Sequence, residues 1–165
     1  MNDAHLHMIV NHFPIVGPIL GLLVLIGGMF FKDIPVKNTA YLLFILSAIF
    51  TVFSMATGEG AEKIAEDILN IDHHVIHEHE EYAEKFAIII YLLGIVSILG
   101  LITNIKNHPK ATFFAYTTAT IALVAIVFAT KVGTSGGEIR HTEIRDDAVS
   151  TKINIQNSEL TKHDD

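Results

Sequence analysis

The stretch FAIIIYLLGIVSILGLITNI, from Phe86 to Ile105, contains 20 residues and no charged side chain. The hydrocarbon core of a bilayer is about 30 Å thick, and a helix that rises 1.5 Å per residue needs about 20 apolar residues to cross it. The stretch therefore predicts a membrane-spanning helix.

Three further apolar runs of comparable length cover about residues 8–31, 40–57 and 112–132. Half of the 165 residues are hydrophobic and the mean hydropathy is +0.44, which is more apolar than an ordinary soluble domain. The sequence predicts an all-α integral membrane four-helix bundle over residues 1–146, followed by a polar, mobile tail over residues 147–165.

The connection between the second and third runs is GEGAEKIAEDILNIDHHVIHEHEEYAEK, residues 58–85. Its apolar positions Ile64, Ile68, Leu69 and Ile71 favour a short interfacial helix. An extramembrane extension of the third span then follows, with Asp72 as its N-cap. The connection is thus predicted to be helical rather than a plain linker.

Both short turns are basic. KDIPVK joins the first two spans (Lys32 to Lys37), and KNHPK joins the last two (Lys106 to Lys110). The positive-inside rule places these turns in the cytoplasm. Both termini and the long connection are then expected on the periplasmic side of a bacterial inner membrane.

The expected partners follow from composition and topology. The lipid bilayer is the first, and a membrane or periplasmic redox partner, further copies of the chain or other subunits of a complex are the next. Nucleic acid is excluded as a partner, because a net charge of −7 repels phosphate.

Nine of the ten histidines lie on the face of the membrane that carries the termini, and only His108 lies on the other. Imidazole and carboxylate together suit iron, copper and zinc. The chain has no cysteine, which excludes thiolate ligands and iron–sulfur clusters. A metal site built from nitrogen and oxygen donors is therefore predicted at this interface.

Helical phase selects among these histidines. In the third span, a stripe of small residues that includes Ala87 is predicted to face the bundle. Continued towards the N-terminal end of the helix, the same face contains His79 and Glu80, which are therefore predicted to point inward. His73 lies further along this face and is predicted to be an outer ligand. In the first span, His5 and His12 share a face, and apolar neighbours favour an inward His12. His7 and Asn11 form a second pair, rotated away from the first.

The second and fourth spans add further donors. Small and polar positions of the second span lead to Glu62, with Glu59 beside it. Glycines near the end of the fourth span permit a turn that folds His141 and Glu143 over the mouth of the bundle, although a solvated surface also explains such residues. The predicted metal ligands are His5, His7, His12, Glu59, Glu62, His73, His79, Glu80, His141 and Glu143.

Four segments carry a resemblance to a known group: HLHMIVNHFPI (His5 to Ile15), TGEGAEK (Thr57 to Lys63), HEHEEYAEKFA (His77 to Ala87) and GGEIRHTEI (Gly136 to Ile144). Together they resemble an uncharacterised family of bacterial four-helix membrane proteins with HxHxxxNHxPI, TGExAE, HE and GGxIRHxEI motifs. The resemblance covers nearly the whole chain except the tail. It implies the same architecture and singles out His5, His7, Asn11, His12, Pro14, Glu59, Glu62, His79, Glu80, His141 and Glu143.

Three functions remain open from the sequence. A non-haem metal site in a redox or electron-transfer subunit accounts for both the histidines and the glutamates. A membrane cytochrome would instead hold haem b between His12 and His79. In the third case, the chain is a structural subunit of a larger membrane complex, and its histidines are incidental.

Overall fold

The computed structural model describes residues 2–69, 71 and 73–145. Their helices are α1 (Asp3–Val10), α2 (His12–Phe30), α3 (Ile34–Leu69), α4 (His73–Ile105) and α5 (Ala111–Arg140), and a 3-10 turn covers Thr142–Ile144. The predicted cap at Asp72 and the predicted tail lie outside the described residues.

Helices α1 and α2 together form the first span. Asn11, between them, keeps helical dihedral angles, with φ −68° and ψ −19°. The hydrogen-bond ladder is interrupted because Pro14 has no N–H to donate to the Val10 carbonyl. Because Asn11 itself stays helical, the two segments form one helical stretch, Asp3–Phe30.

Four helical stretches of the described chain are long and apolar enough to cross a membrane: Asp3–Phe30, Ile34–Ile68, His73–Ile105 and Ala111–Arg140. The predicted all-α four-helix membrane bundle is confirmed. Leu23, Leu92 and Leu123 are exposed on its outer surface, where they face lipid.

Helices α3 and α4 are longer than the bilayer requires. The 36 residues of α3 extend for about 54 Å at 1.5 Å per residue. The apolar runs 40–57 and 86–105 are each about as long as the hydrocarbon core requires, and the parts of α3 and α4 beyond them, residues 58–69 and 73–85, are named the projecting hairpin below. A helical connection was predicted, but the separate interfacial helix is wrong. The segment from Ala61 to Glu66 is rich in strong helix formers and continues α3 without a break.

Each of the four spans packs on two neighbouring spans. Helices α2 and α4 both pack against α3 and against α5, so α2 and α4 occupy opposite corners of the bundle, and α1 extends the α2 corner along α3. The largest fully buried side chains include Tyr41, Phe44, Leu25, Ile90 and Leu93. They fill the centre between the four spans.

Small residues allow the helices to approach closely. A Cβ atom added at Gly94 in α4 would lie 2.6 Å from the Cβ atom of Ala48 in α3. Small side chains of α5 are also buried, namely those of Thr118, Ala122, Ala125 and Ala129. Gly133, one turn further along α5, is exposed. The bundle is therefore packed through small side chains, as membrane helices commonly are.

The C-terminal end of α5 differs from its prediction. The helix continues through Gly136 and Gly137 to Arg140, and the chain reverses only at His141. The side chain of Ile144 then folds onto Gly137, and Nε of Arg145 donates to the Glu138 carbonyl at 2.9 Å. Glycine permits a turn but does not impose one, and here it provides space beside neighbouring side chains.

We expect the substitution Gly94→Ala to destabilise the bundle by about 1–3 kcal/mol, because the added methyl group forces α3 and α4 apart. Gly27→Ala is the matched control, since a Cβ atom at Gly27 meets no atom within 4 Å. The midpoint of thermal unfolding in detergent measures both. Equal unfolding midpoints for the two variants would show that the close approach of α3 and α4 at Gly94 contributes nothing to the stability of the bundle.

Candidate metal centres

One group of possible ligands lies at the end of the projecting hairpin. Glu62 and Glu66 are four residues apart and share one face of α3, and His73 begins α4 across the turn. One donor atom from each of the three residues lies within 4.8 Å of the other two. Nδ1 of His73 is 2.6 Å from Oε1 of Glu66 and 4.0 Å from Oε1 of Glu62.

Glu80 extends this group from about two helical turns after His73 on α4. Its carboxyl group lies in hydrogen-bonding contact with that of Glu62. Partial burial, this hydrogen bond and the charge of Glu62 raise the pKa of Glu80. The four side chains Glu62, Glu66, His73 and Glu80 are named the carboxylate cluster below.

His73 and Glu66 form the strongest contact of the carboxylate cluster. The hydrogen bond to Glu66 and then the charge of Glu66 raise the pKa of His73, and the charges of Glu62 and Glu80 add to the effect. Because two-thirds of the His73 side chain is exposed, at 69%, solvent screens the pair and it adds little stability. The contact instead holds Nδ1 of His73 beside the carboxylate of Glu66, so that two donor atoms lie close together.

A second group lies in the mouth of the bundle, below the carboxylate cluster. Nδ1 of His7 in α1 lies 3.0 Å from the Ser54 carbonyl oxygen and 3.2 Å from Oγ1 of Thr57, both in α3. Nδ1 of His79 in α4 lies 3.1 Å from Oγ of Ser135 in α5. His7 and His79 are named the inner histidine pair below.

The two rings of the inner histidine pair influence each other. Burial lowers the pKa of His79, and the positive charge of His7 lowers it further. Hydrogen bonding with the Val132 backbone opposes this shift. Burial lowers the pKa of His7 as well, so both imidazoles are favoured in their neutral form, in which one ring nitrogen carries a lone pair.

The predicted inward direction of His79 and Glu80 agrees with their partial burial and with the buried Ile76 on the same face. The predicted inward direction of His12 is wrong. His12 is exposed, and its Nδ1 donates to the Met8 carbonyl at 2.9 Å.

Helical phase explains the misplacement of His12. The buried positions of the first span include Val10, Pro14, Pro18 and Gly21, and the position three residues before Val10 on the same face is His7. Flanking apolar residues suggested a buried His12, but in a membrane span such residues also face lipid. The pair His7 and Asn11, rotated away from His12, is the inward one.

The remaining predicted ligands lie outside the carboxylate cluster. His5 is exposed on α1, and the exposed Glu59 pairs with Lys63 at 2.7 Å. His141 and Glu143 are exposed and contact each other at 2.9 Å within the C-terminal turn. The predicted single set of ligands is therefore divided among separate places, and the role of these four residues as ligands stays a prediction.

Two participants were missed in the sequence. Glu66 lies four residues after Glu62, a spacing that places both carboxylates on one helical face once α3 is known to continue. Ser135 supports His79 from another helix, and no local pattern signals such a contact. Glu66 could thus have been found from spacing, whereas Ser135 depends on the packing of α4 against α5.

We found no match to this chain among protein-family models, curated proteins or solved structures. Functional conclusions therefore depend on the chemistry of its own residues. The carboxylate cluster and the inner histidine pair are the two places where that chemistry is concentrated.

We expect the substitution Glu66→Gln to lower the pKa of His73 towards its ordinary value, because it removes the negative charge that favours the imidazolium ion. NMR titration of the His73 ring in detergent micelles measures the change. Glu59→Gln is the control, since its carboxylate pairs with Lys63 instead. An unaltered His73 titration in Glu66→Gln would contradict the contact.

Proposed function

We propose that this chain is a membrane metal-binding protein whose carboxylate cluster holds a non-haem metal ion, and that it serves as a redox or electron-transfer subunit. The observation that supports this proposal is the convergence of three donor atoms within 4.8 Å from two different helices. Exposed carboxylates are common on protein surfaces, but an imidazole among them adds a donor that transition metals prefer.

The donors favour particular metals. Three carboxylates and one imidazole combine hard oxygen with borderline nitrogen, which suits iron or zinc better than monovalent copper. Helical bundles hold iron through this type of Glu and His combination. A bound iron ion would supply one-electron chemistry, whereas zinc would supply none.

The residues of the carboxylate cluster are arranged so that a cation takes the place of protons. The pKa values of Glu80 and His73 are both raised, so each of these groups holds a proton more readily than it would in water. A metal ion requires its carboxylate ligands ionised and the ligating nitrogen unprotonated. Metal binding is therefore accompanied by proton release and weakens as the pH falls through the pKa of His73.

The haem alternative receives less support from the placement of its two proposed ligands. His12 lies on the outer surface, whereas His79 is directed towards Ser135 in α5. The close approach of Gly94 to Ala48 also leaves little space for a porphyrin between α3 and α4 deeper in the bundle. The carboxylate cluster therefore remains the main candidate.

The carboxylate cluster is proposed to face the periplasm of a bacterial inner membrane. The short turns that carry Lys32, Lys37, Lys106 and Lys110 lie at the opposite end of the bundle from the projecting hairpin. The positive-inside rule assigns those turns to the cytoplasm. Both termini then share the periplasmic face with the carboxylate cluster.

We expect purified chain to bind one iron or zinc ion, and Glu62→Gln or His73→Ala to weaken this binding by at least about 100-fold, because each removes a ligand. Glu59→Gln and His141→Ala are the controls, since these exposed residues lie outside the carboxylate cluster. Elemental analysis after dialysis against a weak chelator measures the bound metal. Equal metal loss in all four variants, or none in any, would refute the assignment.

We expect a cysteine introduced at Asp67 to react with a membrane-impermeant thiol reagent added to intact cells. Asp67 is exposed on the projecting hairpin, and the chain has no other cysteine. Cysteines at Pro35 and at His108, beside the basic turns, should react only after the cells are lysed. The opposite pattern would reverse the proposed orientation without altering the bundle.

A further inference from the structure

The end of the bundle opposite the projecting hairpin is positively charged. Its two short turns carry Lys32 and Lys37, and Lys106 and Lys110. Four lysines and one aspartate, Asp33, give this end a charge of +3 in a chain whose net charge is −7. The four lysines are named the basic end below.

The positive charges of the basic end are not neutralised within the described chain. By contrast, Lys63 pairs with Glu59 one helical turn away at 2.7 Å. Asp33, beside Lys32 in the sequence, instead accepts through Oδ1 from the Val36 N–H at 2.8 Å and so caps the start of α3. Among residues 2–69, 71 and 73–145, the four lysines form no ion pair.

A buried amide joins the two turns. Asn104, near the end of α4, donates through Nδ2 to Oδ1 of Asn38 at 2.7 Å and to the Ile34 carbonyl oxygen at 3.3 Å, both in α3. Lys37 directly precedes Asn38, and Lys106 follows Asn104 by two positions. The lysines of the two turns therefore belong to one surface rather than to separate loops.

Lys32 has a backbone conformation that glycine would adopt at lower cost. It follows α2 with a φ of 54°, in the left-handed region, where the Cβ atom of a lysine is crowded. The N–H of the next residue, Asp33, donates to the Gly28 carbonyl at 2.9 Å and closes the end of the helix. Glycine is the usual residue at this position, so a strained lysine there points to a use for its charge.

Exposed apolar side chains lie beside the lysines. Phe30 and Phe31, next to Lys32, are 80% and 75% exposed. Ile105, next to Lys106, is 61% exposed. Such side chains contact acyl chains, whereas the ammonium group of a lysine extends on its four-carbon stem to the headgroup level. The surface thus combines positive charge with apolar contact, as an anionic lipid requires.

We propose that the basic end binds the phosphate groups of anionic phospholipids, of which phosphatidylglycerol is the simplest probe. Attraction to an anionic membrane surface corresponds to a gain in affinity of about fivefold for each lysine close to it. Phosphatidylcholine gains less, because its choline group balances the phosphate charge. The proposal is independent of the carboxylate cluster, which lies at the opposite end of the bundle.

The test counts lipids bound to the full chain by native mass spectrometry in a neutral detergent. Phosphatidylglycerol and phosphatidylcholine with the same acyl chains are added in equal amounts. We expect a preference for phosphatidylglycerol, which falls by about fivefold for each lysine removed in Lys37→Gln and in Lys106→Gln. Lys131→Gln is the matched control, since Lys131 is an exposed lysine near the opposite end of α5.

Three results would overturn the proposal. The first is equal binding of the two lipids by the wild-type chain. The second is a loss in Lys131→Gln as large as in Lys37→Gln and Lys106→Gln. The third is complete displacement of phosphatidylglycerol by excess inorganic phosphate, which would mean that the surface binds free phosphate rather than lipid.

The substitution Lys32→Gly separates binding from folding. Glycine relieves the left-handed conformation, so this variant should unfold at or above the wild-type midpoint. Its preference for phosphatidylglycerol should nevertheless fall by about fivefold, because one positive charge is lost. A loss of binding without a loss of stability cannot come from misfolding. An unchanged preference in Lys32→Gly would show that the charge at this strained position is not used, and would overturn the assignment.

Discussion

The absence of water from the hydrocarbon core is the constraint on which this structure depends. Peptide groups there must bond within their own segment, so each span is a helix. Lipid supplies no hydrophobic force that drives helices together, and close contact through small residues has to hold them. The approach of Gly94 to Ala48 and the buried alanines of α5 are the local expression of this constraint.

The same constraint determines how polar side chains enter the bundle. Ser47 and Thr51 return their hydroxyl protons to backbone carbonyls one turn earlier in α3, at 2.8 Å in each case. At the bundle mouth, the Ser54 carbonyl accepts from both Thr57 and His7. Imidazole is thus accommodated where a helix offers spare carbonyl lone pairs, and its second nitrogen is left for another partner.

The sequence was sufficient for the architecture but only partly for the site. The four spans could be predicted from the length and apolar composition of runs such as Phe86 to Ile105. The helical periodicity of α4 also predicted the inward direction of His79 and Glu80. The predicted direction of His12 was wrong, because apolar residues occur on both the bundle-facing and the lipid-facing side of a membrane helix. Apolar neighbours therefore do not show which side a residue is on. The contacts of His7 with Ser54 and of His79 with Ser135 join residues 47 and 56 positions apart, and no local pattern contains such information.

The length of α3 has a consequence for encounters between proteins. Glu66 lies nine residues beyond Thr57, where the apolar run ends, and this corresponds to about 13 Å along the helix axis. The polar headgroup layer on one side of a bilayer is about 5–8 Å thick. A helix perpendicular to the membrane, with Thr57 at the edge of the hydrocarbon core, would carry Glu66 beyond the lipid headgroups. In that arrangement, a water-soluble protein would reach the carboxylate cluster by diffusion in three dimensions, without first being recruited to the membrane.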